Sequence, residues 1–93
     1  MDTKQMREIL ECYNLEHSIV KNKKSRKYSI VLENNVIDTK NKDKRVVVFS
    51  PLPEGKDKFS MERDKFYSEF EDAFDDDEAI KELMTYFENN RQK

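Results

Sequence analysis

The chain of 93 residues is poor in the residue types on which many functional sites depend. Its only glycine is Gly55, which excludes the glycine-rich loops that hold phosphate groups. Its only cysteine and only histidine, Cys12 and His17, allow no internal disulfide and no structural zinc site. The sequence therefore offers no nucleophile with a base and an orienting group, and we expect a protein that is not an enzyme and uses no cofactor.

Long hydrophobic runs are also lacking. No apolar run approaches the roughly 18–20 residues of a membrane span, and the first residues lack the apolar segment of a secretion signal. A lone cysteine is typical of a reducing compartment, so we expect a cytoplasmic protein with no membrane partner. The length fits one domain, 1–93, with a modest core.

Charged residues make up 41% of the chain and hydrophobic residues 35%, but six Phe and four Tyr argue against disorder. The two parts of the chain differ in sign. Residues 1–55 carry 11 basic and 8 acidic side chains, whereas residues 56–93 carry 7 basic and 12 acidic ones. Charge is therefore polarised along the sequence, with a basic first part and an acidic last part.

The first segment has the periodicity of an amphipathic helix. Asp2 and Gln5 have the spacing of a capping box, and Asn14 can end the helix in the left-handed conformation. Apolar residues recur at helical spacing at Met6, Ile9, Leu10 and Tyr13.

Strand patterns follow the first helix. HSIVK is short and β-branched, RKYSIVLE alternates with Tyr28, Ile30 and Leu32 on one face, and RVVVFS is apolar on both faces. Asn34-Asn35 reads as a turn before a short further strand at Val36-Ile37. The short connections favour antiparallel hairpins.

The loop SPLPEGKDK separates the strands from two more helices. Ser60 is expected to cap the first of these, which would bury a stripe at Phe66, Phe70, Ala73 and Phe74. The last helix has its stripe at Ile80, Leu83, Met84 and Phe87. We therefore predict an α+β domain: a helix, a three- or four-stranded antiparallel sheet, then two helices packed on one sheet face.

The ten residues EFEDAFDDDE contain seven acids and no base. Asp75 with Glu78 reads as a capping box for the last helix, and Asp76 and Asp77 would lie in its first turn. The other acids would end the preceding helix, where its dipole disfavours them. The run is therefore either solvated surface or a face that docks a basic partner, and the candidate contact residues are Glu69, Glu71, Asp72, Asp75, Asp76 and Asp77.

Three alternatives remain open. The basic turns Lys21–Lys27 and Lys40–Arg45 can be soluble hairpin tips or can bind phosphates, although the acidic pI ranks direct nucleic-acid binding lower. Glu54-Gly55-Lys56 has the E-x-K spacing of a metal-dependent nuclease. An exposed sheet face around Val31, Val47 and Phe49 would leave a homodimer open.

The order of elements, the size, the lysine- and asparagine-rich composition and the acidic C-terminal helices together resemble small phage-encoded inhibitors of the type II-A anti-CRISPR kind. The resemblance is one of outline and covers most of the chain. It implies a non-enzymatic DNA mimic that inhibits a basic nucleic-acid-binding protein, a Cas9-like effector or another host DNA enzyme, by competing with DNA through the acidic helix face.

Overall fold

A computed structural model describes residues 2–91. The elements are α1 (Thr3–Cys12), β1 (Ile19–Asn22), β2 (Tyr28–Ile37), β3 (Arg45–Pro51), β4 (Phe59–Glu62), α2 (Arg63–Glu69), β5 (Phe70–Asp72) and α3 (Asp77–Arg91). The strands form one antiparallel sheet in the order β4-β3-β2-β1-β5. This confirms the α+β class, with five strands in place of three or four. Within the described part, no helix is both long and apolar enough to cross a membrane.

The predicted start and end of α1 are confirmed. The Asp2 side chain accepts a hydrogen bond from the Gln5 backbone N–H, and the Gln5 side chain accepts one from the Asp2 backbone N–H. Asn14 follows with φ of 58°, the left-handed conformation that ends helices. Met6 and Leu10 are buried, so this side of α1 faces the core.

One sheet face is covered by α1 and α3. Ile19 and Ile30 are register partners on β1 and β2, so their side chains lie on the same face. They pack with the buried side of α1 and with Ile80 and Leu83 of α3, both fully buried. This layer contains the larger of the two apolar clusters, and we call this side of the sheet the helix-pair face.

The opposite face is partly covered by α2, and we call it the α2 face. Phe66 of α2 is fully buried. Its ring centroid lies 5.0 Å from that of Phe49 and 4.4 Å from that of Phe70, which stacks on it at an interplanar angle of 12°. The expectation that both C-terminal helices share one sheet face is therefore wrong. The cause is β5, which carries the chain across the sheet edge between them.

The exposed apolar face expected around Val31, Val47 and Phe49 is also corrected. Val47 is fully buried and Phe49 nearly so, because α2 lies over them. The homodimer alternative built on this face therefore loses its basis.

The second strand is longer than the sequence suggested. Asn34 and Asn35 continue β2 and form no turn, so Val36-Ile37 is the end of the same strand. Register shifts against β3 between Val31 and Val36 absorb the two extra residues. Beyond Val31 the predicted alternation of faces no longer holds, as expected at bulges.

Two short edge strands replace parts of the second predicted helix. Ser60 lies in β4 and caps no helix, since α2 begins only at Arg63. The helix ends at Glu69, and Phe70–Asp72 pairs with β1. The spacing of Phe66 and Phe70 fits a helix, but pairing with a strand distant in sequence decides the conformation of the second.

The α2 face predicts a strong dependence of stability on Phe66. Phe66→Ala should lower the free energy of unfolding by about 3–5 kcal/mol, because the ring is fully enclosed. The neighbouring Tyr67 is 44% exposed and provides the control, with about 1 kcal/mol or less expected for Tyr67→Ala. Urea denaturation measures both, and equal losses would contradict the assignment of this core.

Candidate functional site

The six predicted contact acids are brought together, but not on one helix face. Glu69 ends α2, Glu71 and Asp72 lie in β5, and Asp77 begins α3. Because side chains alternate along a strand, Glu71 and Asp72 point to opposite sheet faces. The predicted acidic helix face is therefore wrong in geometry. The acids instead follow the β5 edge and the turn into α3.

Asp76, in that turn, is the most engaged of them. Its carboxylate accepts a hydrogen bond from the Tyr28 hydroxyl and another, 3.0 Å long, from the backbone N–H of Glu78. It therefore caps α3, a role that the sequence pattern gave to Asp75. Lys21 Nζ lies 3.8 Å from Asp76 and 3.7 Å from Glu71, so one ammonium bridges β5 and the turn.

These contacts change the acid–base properties of both partners. The hydrogen bond to Asp76, with desolvation, raises the pKa of Tyr28 to about 12. The same hydrogen bond lowers the pKa of Asp76, with further help from the α3 backbone N–H groups and from Lys21 and against the opposing effect of burial. Tyr28 therefore stays protonated and Asp76 stays ionised around neutral pH, which keeps the hydrogen bond in place.

Asp77 joins α3 to α1. The Arg7 guanidinium donates to Asp77 at 2.6 Å and to the Phe74 carbonyl at 3.0 Å. Glu69 has a weaker partner in Lys65, one helical turn earlier at 4.0 Å. These contacts give the two acids local structural roles.

Asp72 pairs with the only histidine. His17 Nδ1 lies 2.8 Å from Asp72 Oδ2, and the other carboxylate oxygen accepts the Phe74 backbone N–H at 3.1 Å. The hydrogen bond and charge of Asp72, with a smaller contribution from Glu16, raise the pKa of His17 above its ordinary value. His17 can therefore switch charge inside the acidic region at near-neutral pH.

A shallow depression of about 450 Å³ lies beside this pair. Glu11 and Glu16, which the sequence analysis did not select, lie on its wall with Asp72 and Asp75. One carboxylate oxygen of Glu16 is buried and has no hydrogen-bond partner among the described residues. Only the fold brings Glu11 of α1 and Glu16 of the following loop to this edge, so no local sequence signal could have found these two acids.

We call the enlarged set the acidic surface. Eight carboxylates face three permanently charged partners, Arg7, Lys21 and Lys65, which leaves five negative charges while His17 is neutral. Its acids are Glu11, Glu16, Glu69, Glu71, Asp72, Asp75, Asp76 and Asp77.

The alternative sites lie elsewhere. The basic turns Lys21–Lys27 and Lys40–Arg45 are at opposite ends of β2, whose ten residues place them about 30 Å apart, so they form no single patch. Glu54 and Lys56 are exposed in the loop before β4. Residues 2–91 form no group of three or more His, Cys, Asp or Glu side chains arranged to hold a metal ion. The geometry thus gives the nuclease alternative no support.

No family model, curated protein or solved structure matches the chain. The resemblance to anti-CRISPR proteins therefore stays a prediction.

The two neighbouring aspartates of the turn predict unequal effects on stability. Asp76→Ala removes the α3 cap and the partner of Tyr28 and should lower the free energy of unfolding by about 1–3 kcal/mol. Asp75→Ala removes an exposed side chain and should change it by about 0.5 kcal/mol or less. Urea denaturation tests both variants, and a larger loss of unfolding free energy for Asp75→Ala would show that Asp75 caps α3.

The His17–Asp72 contact predicts a shift that NMR can measure. Because Asp72 is the main cause of the raised pKa, Asp72→Asn should lower the pKa of His17, whereas Glu69→Gln should leave it unchanged. The contact stabilises the fold fully below pH 6.5, the ordinary pKa of histidine, and this contribution is lost as pH rises through the higher folded-state pKa. An unchanged pKa in Asp72→Asn would show that the contact does not form in solution.

Proposed function

We propose that this chain is a non-enzymatic, cytoplasmic interaction protein, encoded by a phage or mobile element, that inhibits a basic nucleic-acid-handling protein. The acidic surface would occupy the partner's nucleic-acid-binding groove and compete with DNA. The observation that carries the proposal is the excess of carboxylates that remains after the internal ion pairs are counted.

The arrangement suits a basic groove. Asp72, Asp75 and Asp77 are exposed, and the adjoining depression adds Glu11 and Glu16, so the negative charge extends beyond the acidic run itself. Clustered charge of one sign accelerates encounter with a partner of opposite sign and disfavours partners of the same sign. A protein surface of this kind acts on a nucleic-acid groove without needing a catalytic group.

The acids divide into two roles. Asp76 and Asp77 hold α3 to the sheet and to α1, so their loss would disturb the fold before it reports on binding. Asp75 and Glu11 are exposed and form no ion pair with any described residue. The contact face is therefore centred on Asp75 and Glu11, which line the same depression as Asp72, and this division decides which variants can test it.

We expect the double variant Glu11→Lys/Asp75→Lys to lose partner binding while keeping its fold. The control, Asp43→Lys/Glu54→Lys, makes the same charge change at two exposed loop acids away from the surface. Each tagged protein is used in a pull-down from a bacterial lysate, washed at rising salt and then with duplex DNA. A basic nucleic-acid-binding protein should be retained by the unmodified chain and the control alone, and should be released by DNA.

Equal retention by both double variants would contradict the proposal, because net charge and not the acidic surface would then explain binding. Recovery of nucleic acid itself, at low salt only, would instead favour the alternative of a nucleic-acid-binding module that uses the basic turns Lys21–Lys27 and Lys40–Arg45.

A further inference from the structure

A second surface lies on the α2 face. Helix α2 has only seven residues, about 10 Å of length, and covers only part of this face. Beyond it a cavity of about 410 Å³ opens between the β1–β2 turn and β4. We call it the aromatic groove, and its lining includes Lys27, Ser29, Phe49, Phe59, Met61 and Phe70.

The groove is open because of two features of the sequence. Ser29 faces it from the middle of the sheet, where a larger side chain would fill the space. Phe59 lies on the edge strand β4 and is 49% exposed, with its centroid 6.0 Å from that of Phe49. The groove thus has an apolar floor and one half-exposed aromatic wall, an arrangement that suits a bulky apolar group.

Positively charged side chains lie at the rim of the aromatic groove. Lys24, Arg26 and Lys27 in the β1–β2 turn are exposed, and none forms an ion pair within residues 2–91. Lys21, in the preceding strand β1, is instead held by Glu71 and Asp76. The charge at this end of the sheet is therefore positive and unneutralised, opposite in sign to the acidic surface.

Aromatic exposure decides between two anionic occupants. Single-stranded nucleic acid binds by stacking successive bases on exposed rings. Phe49 and Phe70 are each only 7% exposed, and Tyr28 at the edge of the groove packs on the helix-pair face and bonds to Asp76. Phe59, 49% exposed, is therefore the ring of the groove most open to stacking. A peptide needs only one pocket for an apolar side chain and nearby cations for its carboxylates, and this groove provides both.

We propose that the aromatic groove binds an acidic peptide segment that carries a bulky apolar side chain. The side chain enters between Phe59 and Met61, and flanking carboxylates pair with Lys24 and Lys27. The groove shares no lining residue with the depression at Glu11, Asp72 and Asp75, so it gives the chain a second partner of opposite charge.

Fluorescence anisotropy with a labelled peptide, Asp-Glu-Phe-Glu-Asp, tests the proposal. Phe59→Ser should weaken binding about tenfold or more, and Lys24→Glu/Lys27→Glu should do the same. The matched control Lys40→Glu/Lys42→Glu changes the other basic turn and should leave binding unchanged. A peptide with Ala in place of Phe, and one with Lys in place of the acids, should both bind at least tenfold more weakly.

Amide NMR spectra of each variant establish that it is folded and show where the peptide binds. Shifts confined to Ser29, Phe49, Phe59 and their neighbours support the proposal. The proposal is overturned if Phe59→Ser leaves peptide affinity unchanged, or if the peptide does not bind at all. It is also overturned if a ten-residue oligothymidylate binds in a Phe59-dependent manner and the peptide does not. Glu11→Lys/Asp75→Lys should bind the peptide normally, so the two functional proposals succeed or fail separately.

Discussion

The carboxylate of Asp76 fixes the position of the last helix. It caps α3, accepts the Tyr28 hydroxyl from β2 and faces Lys21 of β1, so one side chain connects the helix to two neighbouring strands. These contacts orient the helix so that Ile80 and Leu83 are buried against the sheet. Without Asp76, α3 would keep its apolar stripe but lose the polar contacts that set its register on the helix-pair face.

This requirement explains much of the acidic run without reference to a partner. Asp77 holds Arg7, and Glu71 shares Lys21, so their charges are used within the fold. The fold does not need as many acids as it has, however. Asp75 lies among these residues without any ion pair to a described residue, and Glu11 and Glu16 bring further negative charge to the same edge from a distant part of the chain. It is this unpaired fraction that a partner can bind.

Local signals were sufficient wherever a segment's own sequence determines its conformation. The capping box of α1 and the left-handed Asn14 were predictable, as were the cores of the first three strands. Of the predicted stripe of α3, Ile80 and Leu83 are fully buried, whereas Phe87 is 37% exposed. The predictions were wrong where pairing with a segment distant in sequence determines the local conformation. Phe70 satisfies a helical period but pairs with β1, and that pairing also puts α2 and α3 on opposite faces. The apolar–polar alternation of Phe59–Glu62 is typical of a strand, but interpreting Ser60 as a helix cap led to the prediction of a helix there.

In the candidate site too, some features were predictable from local sequence and others depended on pairing with distant segments. The sequence located the acids by composition, whereas their directions depended on β5, whose alternation no helical wheel can reproduce. The fold also separates charge more sharply than the sequence does. Arg7, Lys21 and Lys65 are paired within the acidic surface, whereas Lys24, Arg26 and Lys27 of the β1–β2 turn form no ion pair with a described residue. Because β1 runs from the acidic edge at Asp72 to the basic turn at Lys23, one short strand sets the distance between two surfaces of opposite sign. Rising salt would weaken binding at both surfaces, and each surface would disfavour a partner that carries its own sign of charge. Both surfaces can therefore be specific on a chain of 93 residues.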